Sequence, residues 1–184
     1  MLNTITGNIE LTITVLLFLG TAIGFFKYKF LRRPRINIEV KKLTGKKRIK
    51  EEVNYPIDSD DTPNAEDLIH RYHYEINFEI EVLNNSEVDA YDIELEVLDT
   101  LEGHFRFFHP LEFSPLSSQD TYLIQGKYIK DVEAPLKKGP NIPTIQRELL
   151  ENFQLRTKVV NQYRVRNFYT HYSQEENTFT FFKP

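Results

Sequence analysis

The chain has 184 residues, enough for one domain with a real core, and contains neither Cys nor Trp. Disulfides, thiol nucleophiles and cysteine-based zinc sites are thereby excluded. The net charge of −4 conceals a split. Residues 27–50 carry eleven Lys or Arg against one acid, Glu39, whereas residues 51–184 carry twelve against twenty-five, a net of −13.

Residues 1–10, MLNTITGNIE, read as a short extracytoplasmic tail with one acid and no basic side chain. Residues 11–26, LTITVLLFLGTAIGFF, carry no charge. Sixteen helical residues reach about 24 Å, short of the ~30 Å hydrocarbon core. Snorkelling of Lys27 and Lys29 lets Tyr28, Phe30 and Leu31 extend the apolar length, so a single transmembrane helix is expected over residues 11–31. A cleaved signal peptide fits less well, because the first positive side chain follows the apolar run instead of preceding it. Lys27, Tyr28, Lys29, Arg32, Arg33 and Arg35 are the expected membrane-interface anchors. With all the basic residues on the C-terminal side, the N-terminus is expected outside and the remainder in the cytoplasm, against an anionic inner leaflet. Gly20 and Gly24 lie one turn apart; the spacing is either tolerated in lipid or packs helices into a homo-oligomer.

Residues 32–50 form a basic juxtamembrane segment and a first strand, in which Ile36, Ile38 and Val40 alternate with Asn37, Glu39 and Lys41. The later group Lys46, Lys47, Arg48 and Lys50 reads as a solvated loop or an extension of the basic collar. Residues 51–69 are acidic, contain two prolines and read as a long flexible loop. Residues 70–184 make the rest of a β domain. Its clearest signal is RYHYEINFEIEV, residues 71–82, with period two over twelve residues and one apolar face. A turn at residues 84–87 follows, then alternation at Tyr91, Ile93, Leu95 and Val97, and a weaker one at Tyr122 and Ile124. A late strand is expected over residues 155–165 and a last one at TFTFF, residues 178–182. Ile145, Leu149, Leu150 and Phe153, after Pro143 and Thr144, predict one short crossover helix. The fold class is mainly β: a transmembrane helix plus an antiparallel sandwich.

VLNNSEVDAYDIELEV, residues 82–97, and SPLSSQDTYLI, residues 114–124, resemble the strand–turn–strand passages of bacterial immunoglobulin-like domains. The resemblance implies a β-sandwich and no particular activity. The lack of a Cys pair and of Trp sets the chain apart from antibody-type domains.

No catalytic, cofactor or metal site is expected. His70 and His73 point to opposite faces of a strand, and the acidic cluster Asp58, Asp60, Asp61, Glu66 and Asp67 lacks the glycine of a calcium loop. Glu75, Glu79, Glu81, Glu94 and Glu96 alternate as a wet sheet face does. No phosphate-cradling or nucleophile motif is present. The aromatics around residues 105–113 and 163–182 belong mostly to the core, and any that are exposed mark a partner surface. The acidic domain disfavours nucleic acid. The expected role is a membrane-anchored, non-catalytic interaction module with a protein partner. The alternatives are a sensor-effector like the small membrane effectors of bacterial antiviral systems, and an enzyme with an unrecognised site.

Overall fold

The computed structural model describes residues 13–25, 32–53, 69–98, 101–135, 138–164 and 166–180. In chain order these form helix α1 (residues 13–25), β1 (Ile36–Val53), β2 (Ile69–Asn84), β3 (Tyr91–Leu98), β4 (His104–Phe107), β5 (Glu112–Phe113) and β6 (Thr121–Pro135). Helix α2 (Ile142–Asn152), β7 (Gln154–Val160), β8 (Asn167–Ser173) and β9 (Glu176–Thr180) complete the series. Two antiparallel sheets result, a four-stranded one in the order β1-β2-β6-β4 and a five-stranded one in the order β5-β3-β7-β8-β9.

The alternation on β2 sets the core. Tyr72, Tyr74, Ile76, Phe78, Ile80 and Val82 are all buried. They share one apolar cluster with Ile93 and Leu95 of β3, Leu155 and Val159 of β7, and Phe168 and Tyr172 of β8. Each side chain buried this completely contributes on the order of 1.5–3 kcal/mol. Phe78 meets Phe105, Phe107 and Phe153 at ring centroid distances of 5.8–6.0 Å, so this aromatic group is core. Gly126 of β6 makes the packing possible, because a Cβ there would overlap the Phe78 ring. Helix α2 starts where Asn141 Oδ1 accepts the backbone N–H of Thr144 at 2.9 Å, with proline in the first turn, and it buries Ile145 and Leu149.

Strand β1 is the edge of its sheet and falls into two halves. Its pairing with β2 slips between Lys41↔Glu79 and Thr44↔Asn77, and Lys42 adopts φ 51°. That is a bulge, which bends and twists the strand. The proximal half precedes it and the distal half, from Thr44 on, follows it.

Three expectations need correction. Among the described residues no helix is long and apolar enough to cross a membrane, so the transmembrane helix over residues 11–31 is not seen. The helical residues 13–25 number thirteen and reach only about 20 Å, and the extension through Tyr28, Phe30 and Leu31 lies outside the described residues. The single strand over residues 155–165 is broken: β7 ends at Val160, and Arg164 N–H closes a turn on the Asn161 carbonyl at 2.9 Å. Lys46, Lys47, Arg48 and Lys50 sit in β1 and not in a loop, because β2 is long enough to pair residues 46–49, from Lys46↔Glu75 to Ile49↔Tyr72, and residues 51–53 beyond the irregularity at Lys50.

Candidate functional site

Helix α1 is apolar and exposed along its whole described length, with Phe18 74%, Leu17 66% and Leu16 63% accessible. Nothing lies within 4 Å of where a Cβ on Gly20 or Gly24 would stand. A helix that is hydrophobic all round is normally buried in something. Lys27, Tyr28 and Lys29 lie outside the described residues, as do the five acids of the 58–67 cluster.

Where the chain re-enters the described body, Arg32, Arg33 and Arg35 line an open cleft of about 360 Å³ with residues 85–88. The β body fixes this basic tetrapeptide. Asn161, itself buried, donates from Nδ2 to the Arg32 carbonyl at 3.1 Å. The Asn85 N–H donates to the Arg35 carbonyl at 2.8 Å, and Pro34 is buried between them. Arg32 Nη2 pairs with Glu87 at 2.7 Å. The turn that carries Asn85 and Glu87 is organised by buried Asn84, whose amide nitrogen lies within 3.1 Å of the Val88, Leu116 and Ser117 carbonyls. The three arginines are therefore presented on a rigid end of the domain.

The wet face of the four-stranded sheet is not a bare acidic surface. Glu75 pairs with Lys127 at 2.8 Å, Glu79 with Lys42 at 2.8 Å and Glu81 with Lys41 at 2.6 Å. The Lys127 hydrogen bond holds the Glu75 carboxyl below its ordinary range, and the Lys42 hydrogen bond does the same for Glu79 against the opposing effect of burial. On the other sheet Glu94 pairs with Lys158 at 2.7 Å and Glu96 with Arg156. The carboxylates that alternation singled out each have a cation beside them.

The histidines do not converge. His70 lies beside the Tyr72 ring, while His73 sits between Asp131 at 2.6 Å and Glu75 at 3.4 Å. His109 Nδ1 accepts the Gln125 N–H at 3.1 Å. His171 Nδ1 is buried without a hydrogen-bond partner among the described residues. Among the described residues no three His, Asp or Glu side chains are placed to hold a metal ion. An open charged trough of about 470 Å³ lies over Glu94, Glu96, Glu112, Arg156, Lys158 and Tyr169.

The edge of β1 holds what sequence reasoning missed. Asn177 of β9 uses its side-chain amide as a one-residue strand. Its Oδ1 accepts the Ile38 N–H at 3.0 Å and its Nδ2 donates to the Ile38 carbonyl at 2.9 Å. The Tyr172 hydroxyl lies against the backbone of Val40, and burial pushes it up to about 12. At the bulge, Gln146 Nε2 donates to the Leu43 carbonyl at 3.1 Å. Beyond that point Lys46, Lys47, Arg48, Ile49 and Lys50 are five consecutive exposed strand residues. Lys47 turns to the inner face, where Nζ reaches the Pro140 carbonyl at 3.1 Å and stands 4.2 Å over the Tyr72 ring. Lys50 is held by Asp131 at 3.4 Å, while Lys46 and Arg48 make no ion pair within 4 Å among the described residues, Arg48 acting on Glu75 only through its field.

Compared with known proteins, the chain matches no family model, no curated protein and no solved structure.

Proposed function

We propose that the protein is a lipid-anchored, non-catalytic interaction module, held at an anionic lipid surface by α1 and the arginine-lined end. The observation that carries this reading is the pairing of an apolar helix exposed on all sides with three arginines fixed on the β body just after it. Leaving such a helix in water is costly, at about 25 cal/mol per Å² of apolar surface, and lipid chains remove that cost. Arginines near an anionic leaflet add on the order of 1 kcal/mol each. Anchorage here needs lipid contact only; thirteen residues do not cross a bilayer. The immunoglobulin-like kinship belongs to the same reading and is supported by two antiparallel sheets around one core.

Flotation of the full chain with lipid vesicles tests the proposal. The protein should float with vesicles of mixed phosphatidylglycerol and phosphatidylcholine, and less with phosphatidylcholine alone. Replacing Leu16 and Phe18 by Asp should abolish flotation on both. Replacing Arg33 and Arg35 by Gln should lower the anionic partition roughly thirtyfold, as about 2 kcal/mol implies. Wild-type protein that stays at the bottom of the gradient with both vesicle types would overturn the reading.

A further inference from the structure

We infer that the distal half of β1 is a strand-addition site for a partner protein's extended segment in which acidic and apolar residues alternate. The inference rests on the reading of the protein as a non-catalytic interaction module, but not on its seating in lipid.

An edge strand exposes the backbone N–H and C=O groups of every second residue, and these template another strand. The two halves of β1 treat that exposure differently. In the proximal half the amide of Asn177 takes both backbone groups of Ile38 and Tyr172 covers Val40, and at the bulge Gln146 takes the Leu43 carbonyl. No such cover exists over residues 46–50 among the described residues, although residues 46–49 are paired to β2 and only Lys50 falls at a register irregularity. Residues 46–50 span about 17 Å at 3.3 Å per residue, the length of an ordinary strand. Five residues of an extended peptide fit beside it, bound by main-chain hydrogen bonds and sorted by their side chains.

The side chains state which peptide. Lys46 and Arg48 lie opposite Glu75 and His73 on the wet face, and Lys50 reaches Asp131 on that face. Lys46 and Arg48 thus stand two positions apart, about 6.6 Å along the strand, and Lys50 continues the row at a register irregularity between Ile49 and Glu51. An incoming strand with acidic residues at every second position would set each acidic Cβ about 5 Å from the Cβ of a cation, within reach of an ion pair. On the inner face the strand presents Ile49, 55% exposed, and the stem of Lys47 over Tyr72. Apolar residues of the peptide would cover these. The same cations repel a second copy's β1, so the site selects a partner over self-pairing.

The test uses the full-length protein in a mild non-ionic detergent and a fluorescently labelled peptide, Glu-Val-Glu-Val-Glu-Val-Glu, read by anisotropy. Saturable binding with one peptide per chain is expected. Methylating the backbone nitrogens of alternate residues, in either phase, removes donors without altering charge. One phase should weaken binding tenfold or more and the other much less, because only alternate N–H groups face β1. The Lys46→Glu/Arg48→Glu variant should lose at least tenfold, and Lys46→Gln/Arg48→Gln should fall between it and wild type. Both pairs are exposed, and a melting curve verifies folding. Absence of saturable binding, or equal binding of both N-methylated peptides, or indifference to the charge-reversed pair would each overturn the inference. Flotation of these variants with vesicles reads the anchoring proposal separately, because Lys46 and Arg48 lie away from the arginine cleft.

Discussion

The proximal and distal halves of β1 run along the same neighbour, β2, in one continuous strand, yet they end up in opposite conditions. The proximal half is sealed. Ile36 and Ile38 are buried, Ile38's free backbone groups are consumed by Asn177, and Lys41 and Lys42 are tied to Glu81 and Glu79. The distal half is open: five exposed residues in a row, with two cations that have no ion-pair partner among the described residues. A sheet edge is normally defended along its length. The contrast teaches that this protein defends half of its long edge with specific hydrogen bonds and leaves the other half guarded by charge alone. Charge repels most strands and attracts a few.

The largest way to break the comparison is in the core. Ile38 is 2% exposed and Ile49 is 55% exposed, although both lie on β1. Ile38→Ala should cost about 2–5 kcal/mol in denaturant unfolding, and Ile49→Ala no more than about 0.5 kcal/mol. A similar cost for both would mean that the distal half is covered in solution. Next in size is the seal. Asn177→Ala leaves the Ile38 N–H and C=O buried without partners, which should lower stability by about 1–3 kcal/mol. Asn177→Asp keeps the acceptor, loses the donor, and should fall between the two. A neutral Asn177→Ala would show that water satisfies Ile38 and that the proximal edge is not closed.

Much of this contrast could not be read along the chain. The face of β2 from Tyr72 to Val82 was legible because a period of two leaves one physical solution, burial of one side. Helix α2 was legible through its apolar spacing and its proline. The seal on Ile38 was not, because Asn177 stands 139 residues away and an asparagine in a strand carries no local signature of its partner. Lys46 to Lys50 read as loop because four cations in five residues promise solvent. They do face solvent, but the length of β2 holds them in a strand. The short β4, with intermediate burial on alternate residues, is too brief for any period to emerge, and β8 is hidden behind the turn at Asn161. The apolar run of residues 11–26 announces that something must cover it. Where its helix ends depends on boundaries that composition does not encode.

The smallest effect separates the two halves by titration. Glu79 is held below its ordinary value of 4.5, first by the Lys42 hydrogen bond, with burial acting the other way. A carboxyl depressed in the folded state adds stability that is present above about pH 4.5 and is lost as the pH falls through the lower folded value. Lys42→Gln removes the main cause of that depression, so the fall in stability between neutral pH and about pH 3 should become shallower. Lys46→Gln should leave the curve parallel to wild type, because Lys46 makes no ion pair among the described residues whose carboxylate could titrate. Urea midpoints measured at several pH values provide the check. If Lys46→Gln flattened the acid limb as much as Lys42→Gln, Lys46 would be bound to a carboxylate in solution. The distal edge would then be a paired surface like the proximal one, with no spare cation to offer an incoming strand.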